Sequence, residues 1–180
     1  ITHMGFFQSL GSSEVSYDSY IDSIVAGTLT PQYTGISALK NSDILTATSI
    51  IAGDISRFPL IKKDINGDIV HDEDINYLLN VKATTNASAR TWKFAMAVNA
   101  ILTGNSFSRI LRDPKSGKAL QFQFFKPSET TVEETNEHEI IYTFFDTLTG
   151  KTVKCRSDDV IHWKVSSHDT ILGRSPLLPL

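Results

Sequence analysis

Trp92, Ala95, Met96, Asn99 and Leu102 recur at three- and four-residue spacing, the repeat of one helical face. Phe94, Val98 and Ile101 widen the apolar surface, so this helix is expected to be covered on more than one side. Ser88 offers an N-cap oxygen, and Gly104 can take the left-handed conformation that ends a helix. After Gly104 the period shortens to two, with Phe107, Ile110 and Arg112 in a strand-like run. A buried helix feeding directly into a strand predicts the folding centre of the chain.

A second helical repeat precedes it. Asn41 or Ser42 is positioned to cap, and Asp43 complements the helix dipole. Ile44, Ala47, Thr48, Ile51, Ile55 and Phe58 define one face, extended by Leu45 and Ala52, until Pro59 stops the helix. The predicted core therefore sets Trp92, Met96 and Leu102 against Ile51 and Ile55 and against a sheet. Between the two helices, Leu60 to Lys63 and Asp68 to Val70 flank Ile65-Asn66-Gly67, and Asn-Gly predicts a hairpin through a primed turn with positive φ at Gly67. Asp72 to Val81 reads as a short helix carrying Ile75, Leu78 and Leu79.

Beyond the central helix the pattern is all-β. Strands are predicted at Ser106 to Arg112, Leu120 to Phe125, Thr131 to Glu134, Ile140 to Phe145, Lys151 to Cys155 and Val160 to Val165. Turn chemistry at Asp113 to Gly117, Pro127-Ser128 and Thr147 to Gly150 separates several of them. The fold class that follows is α+β, with helices packed on one face of a mostly antiparallel β meander. Gly173-Arg174-Ser175-Pro176 reads as the start of a further helix, Ser at the cap and Pro in the first turn. Residues 1–3 precede Met4 and read as a cloning scar. Residues 4–40 read as a flexible arm, either without fixed structure or docked on a neighbouring subunit. Within it, Tyr17 to Val25 suits a short helix or a strand equally. The folded α+β part is expected to span 41–172, with 173–180 opening a helix that leads on.

Composition narrows the function classes. The 180 residues carry 41% hydrophobic side chains, enough for a real core, and a formal net charge of −3. That balance does not advertise nucleic-acid binding. Glu133, Glu134, Glu137 and Glu139 cluster after Lys115, Lys118 and Lys126, which reads as a solvated face before it reads as a binding module. Cys155 is the single cysteine, so no intrachain disulfide can form and a reducing compartment is expected. No apolar run is long enough to span a bilayer, and no membrane partner is expected.

The candidate chemistry is thin. His162, His168 and Asp169 lie near Asp158 and Asp159, which raises the idea of a small metal-dependent hydrolase. Their spacing argues otherwise, because a strand histidine and a loop histidine share no helical face. Ser157 and Ser166 lack the Gly-x-Ser-x-Gly context of a nucleophile elbow. Gly104-Asn105-Ser106 follows a helix instead of opening one and lacks the lysine of a phosphate loop. No catalytic residue, metal site or cofactor is assigned.

An ordered set of motifs supplies more. Leu102-Thr103-Gly104-Asn105-Ser106-Phe107, followed by Ile110, Arg112, Gly117, Leu120 and Pro127, resembles the helix–Gly-Asn–strand core of HK97-family phage portal proteins. Asp159-Val160-Ile161-His162-Trp163-Lys164 resembles a strand of that family, and Asp169 with Gly173-Arg174-Ser175-Pro176-Leu177 resembles the segment after it. Ala47 to Leu60 is similar to its early helix. Phe107 stands where the family commonly has Tyr, and Asp74-Ile75 where it often has His-Pro. The resemblance implies an architectural role. It implies a subunit of a ring, usually a dodecamer, at one capsid vertex, through which double-stranded DNA is packaged and ejected. The implied partners are other copies of itself, the terminase large subunit, the major capsid or scaffold protein and a head–tail adaptor. The implied location is the portal vertex of the virion, with assembly in the host cytoplasm. On this reading the chain is the wing part of the subunit, ending before the stem helix, and DNA is contacted mainly by regions outside it.

Overall fold

The computed structural model describes residues 35–147 and 149–177. The described residues hold three α-helices, α1 (Ser42–Arg57), α2 (Glu73–Asn80) and α3 (Ala89–Thr103). Six strands follow, β1 (Asn105–Arg112), β2 (Ala119–Phe125), β3 (Thr130–Glu134), β4 (Ile140–Asp146), β5 (Lys151–Arg156) and β6 (Val160–Lys164). Each lies within one or two residues of the span that periodicity predicts. Ser88 and Gly104 cap α3 as expected, Asn41 and not Ser42 caps α1, and Asp72 caps α2. Asn41 Oδ1 accepts from the Asp43 and Ile44 N–H groups, at 2.9 and 3.2 Å. Asp72 Oδ1 takes the Ile75 N–H and Ser88 Oγ the Thr91 N–H, both at 3.1 Å. Gly104 closes α3 at φ +86.

The strands form two antiparallel three-stranded sheets, ordered β2-β1-β6 and β3-β4-β5. The expected α+β class, helices on antiparallel strands, is what forms, and the strands divide into two sheets because β6 leaves its chain neighbour and returns to pair with β1. Short 3-10 turns at Pro127–Glu129 and Ser157–Asp159 carry the chain from the first sheet to the second and back. Alternation sorts each strand of the first sheet between two cores. Ile110, Phe122, Ile161 and Trp163 face the helices beside Trp92 and Met96. Phe107, Phe125 and Val160 face the second sheet, where they meet Tyr142, Phe144 and Cys155. The result is a helix layer and two sheets, a three-layer α+β arrangement.

Trp92, Met96 and Leu102 are buried, as the helical repeat predicts. Their expected partners on α1 are not. The α1 face that is buried carries Thr48, Ala52 and Ser56, while Ile51 is 48% and Ile55 37% exposed. The packed stripe is small, so the size of the side chains, not their hydrophobicity, selected it. At the end of α1 the Lys93 ammonium is buried and donates to the Phe58 carbonyl at 2.7 Å. That places a cation on the orphan carbonyls of a helix C-terminus.

Two further expectations are adjusted. Gly67 has φ +90, but Asn66 does not share it, and the Gly67 N–H donates to the Asp64 carbonyl at 3.1 Å. The turn is therefore a type I turn closed by a left-handed glycine, not a primed turn. Its flanks make one isolated bridge, Lys63 to Ile69, and no longer strands. The last six residues of the expected arm, Gly35–Lys40, form a 3-10 helix with Ala38 fully buried. The rest of the arm, including Tyr17 to Val25, lies outside the described residues. So do residues 178–180, and with them most of the helix expected after Ser175.

Candidate functional site

The sequence motifs meet at the C-terminal end of α3. Asn105 opens β1 directly after Gly104, and its side chain reaches the segment that follows β6. Asn105 Oδ1 accepts from the Gly173 N–H at 2.7 Å, and Asn105 Nδ2 donates to the Gly173 carbonyl at 2.8 Å. These two bonds fix which end of the amide is oxygen. The same oxygen lies 2.9 Å from His162 Nε2, so that nitrogen carries the proton. His162 Nδ1 is then an acceptor, and Tyr142 in the second sheet donates its hydroxyl to it at 3.2 Å. The ring also lies against Phe107, with centroids 4.4 Å apart. Burial, and secondarily the Lys164 charge, push the His162 pKa down to about 4, so the imidazole is neutral at pH 7. Burial likewise raises the Tyr142 pKa.

The backbones interlock around this side-chain network. The Val165 N–H donates to the Gly104 carbonyl at 2.9 Å, and the Arg174 N–H to the Val165 carbonyl at 2.7 Å. A Cβ on Gly104 would lie 2.5 Å from the Arg174 carbonyl carbon, and one on Gly173 would lie 2.0 Å from the Gly104 oxygen. Two glycines are needed because two backbones cross without room for a side chain. Ser175 is buried behind them, its Oγ donating to Ile101 O at 3.3 Å and accepting from Leu177 N at 3.1 Å. The segment from Gly173 to Leu177 is thereby latched to the end of α3.

The residues considered for hydrolysis do not converge. His162 is enclosed in the latch, whereas His168 and Asp169 are exposed. Asp169 caps its own loop, accepting from Ile171 N and Leu172 N at 2.9 and 2.8 Å, and these bonds lower its pKa. Among the described residues no group of three His, Cys, Asp or Glu side chains is placed to hold a metal. Glu139 of the acidic segment pairs with Arg156, and Glu134 Oε1 lies 2.7 Å from His138 Nδ1, so two carboxylates of that cluster are engaged by their own surroundings. Cys155 is buried, which raises its thiol pKa. Among the described residues no helix is long and apolar enough to cross a membrane. Sequence reasoning read Gly104 as a helix stop and His162 as a strand residue. It missed that Asn105, Tyr142, His162 and Gly173 are mutual partners, because nothing local connects positions 68 residues apart.

These features define a structural module, in which the motif-bearing polar residues are spent on holding chain segments together. Comparison with known proteins gives the family. The sequence profile described as phage portal protein matches residues 42–180. The fold is similar to a chain of the neck of an empty gene transfer agent particle computed with C6 symmetry, at TM-score 0.59 and 17% identity over 74% of this chain. The neck of the native particle computed with C12 symmetry matches at TM-score 0.57 and 13% identity over 87%. An HK97-family phage portal protein from Corynebacterium diphtheriae matches at TM-score 0.50 and 16% identity over 76%. The chain spans 36%, 43% and 42% of the length of those three chains, respectively. No curated protein matches the sequence. The chain belongs to the phage portal protein family.

Proposed function

We propose that this chain is the peripheral, non-catalytic wing of a portal subunit. Copies of the whole protein form a ring, usually of twelve, at one capsid vertex. Double-stranded DNA enters through that ring during packaging and leaves through it on ejection. The single observation that carries the reading is the latch. Gly104, Asn105, His162 and Gly173, which carry the resemblance to portals in sequence, meet at one junction that fastens the segment following β6, the last strand of the first sheet. Residues used in this way support a scaffold role over a reaction. The terminase large subunit, capsid or scaffold protein and a head–tail adaptor are the partners such a ring takes, first in the host cytoplasm and then at the virion vertex. Residues 4–34 serve in this reading as a contact between copies, since ring closure needs a heterologous interface. Imaging the full-length protein tests the proposal. Closed rings are expected, and removing residues 4–34 should lower their yield more than it lowers the melting temperature. Monomers or two-fold dimers at high concentration would remove the ring reading, and metal-dependent turnover would return the case to a hydrolase.

A further inference from the structure

The hydrogen bonds from Gly173 through Asn105 and His162 end on Tyr142 in β4 of the second sheet, and every link has a direction. We propose that the Gly173–Leu177 segment is a strap whose closing sets that direction, so that the position of the strap is read at Tyr142. The switch lies within one subunit and holds whether or not subunits form a ring.

The relay of Asn105, His162 and Tyr142 has two self-consistent polarities. In the first, Asn105 Oδ1 accepts from His162 Nε2–H at 2.9 Å, and His162 Nδ1 accepts from the Tyr142 hydroxyl at 3.2 Å. In the second, the amide is turned over, Asn105 Nδ2 donates to Nε2, and an Nδ1–H group donates to the Tyr142 oxygen. A carboxamide and a neutral imidazole can each exchange donor for acceptor without a change of shape, and a hydroxyl can serve as either. Within these three side chains nothing prefers one polarity.

Gly173 breaks the tie. With the strap closed, Asn105 Oδ1 also accepts from the Gly173 N–H at 2.7 Å, and Asn105 Nδ2 donates to the Gly173 carbonyl at 2.8 Å. Turning the amide over would set donor against donor and acceptor against acceptor, and part-buried polar groups left unpaired are costly. The closed strap therefore admits only the first polarity and makes Tyr142 a donor. Tyr142 is buried, so its hydroxyl follows the ring nitrogen and not bulk water. With the strap lifted the amide is free to turn, and both polarities are accessible. This is a two-state element biased by the strap at one end and by the second sheet at the other, the physical condition for coupling between separated sites. By reciprocity, whatever holds the Tyr142 hydroxyl as a donor favours the closed strap. The strap also has anchors outside the relay. The Arg174 N–H donates to the Val165 carbonyl at 2.7 Å, and Ser175 Oγ donates to the Ile101 carbonyl at 3.3 Å. It can therefore be loosened without touching the three side chains.

Nitrogen-15 NMR of the histidine rings at pH 7, where the His162 ring is neutral, distinguishes the two tautomers, and His162→Gln identifies its signals. In the wild type His162 should be the Nε2–H form, with the other form below about a tenth. Two variants open the strap by different routes. Ser175→Ala removes the anchor on α3, and Gly173→Ala sets a Cβ against the Gly104 oxygen. In whichever of them folds, amide exchange at position 173 should quicken about tenfold, the size of one lost hydrogen bond, and the Nδ1–H form should rise with it. Tyr142→Phe should keep the Nε2–H form, because the strap sets it. Quickened exchange with His162 still wholly in the Nε2–H form would overturn the proposal. So would a wild type in the Nδ1–H form, or a tautomer that changes in Tyr142→Phe while the strap stays shut. Unchanged exchange in the strap variants would show that no strap opens and would equally count against it.

Discussion

Gly173 shows how much one atom can matter. An alanine there would place Cβ 2.0 Å from the Gly104 oxygen and 2.7 Å from the Val165 nitrogen, both backbone atoms that cannot rotate away. Gly173→Ala is therefore expected to cost about 2–4 kcal/mol, from overpacking and loss of the latch bonds, as measured by urea unfolding. His162 gives the residue scale a pH signature. Its folded pKa is about 4 against an ordinary 6.5, so the unfolded chain binds the proton more readily. Its contribution is complete above pH 6.5 and is lost as the pH falls from 6.5 toward 4. His162→Gln should lower stability at pH 7 and flatten the slope across that window relative to wild type. Equal slopes in the two proteins would mean that His162 is not the group responsible.

At the scale of elements, the close contact of α1 with α3 explains why the larger side chains of α1 point away. Ala52 is completely buried, whereas Ile51 next to it is nearly half exposed. Ala52→Leu should force the helices apart and cost about 1–3 kcal/mol. Ile51→Lys should change subunit stability by no more than about 0.5 kcal/mol. The reverse order in thermal or denaturant melts would restore the face that hydrophobic periodicity favours. The turn at Gly67 behaves differently from Gly173, because nothing lies within 4 Å of a Cβ built there. Only its φ of +90 resists a side chain, so Gly67→Val should cost about 1 kcal/mol or somewhat more in the same assay.

For the whole molecule, charge and architecture lead to the same expectation. A net charge of −3 gives little attraction to phosphates, and the peripheral role proposed above has no need of it. The isolated chain should bind duplex DNA no more tightly than the non-specific range of roughly 10⁻⁴–10⁻⁶ M at physiological salt, read by fluorescence anisotropy. Nanomolar, sequence-selective binding would contradict a wing assignment.

Local chemistry determined a good deal by itself. Asn41, Ser88 and Gly104 mark helix ends because a cap acts on N–H and C=O groups only a few residues away. Strand positions follow from alternation for the same reason. The order of the motifs was enough to indicate the family. Other features waited for the tertiary structure. Alternation says which face of β6 is apolar but not that its partner is β1, since pairing depends on where the chain returns. Periodicity proposed Ile51 and Ile55 for the core, but close helix approach rewards small side chains, so Thr48, Ala52 and Ser56 were buried instead. The bonds from Asn105 to His162 and Gly173 join positions far apart in the chain, and such contacts exist only once β6 has returned to pair with β1.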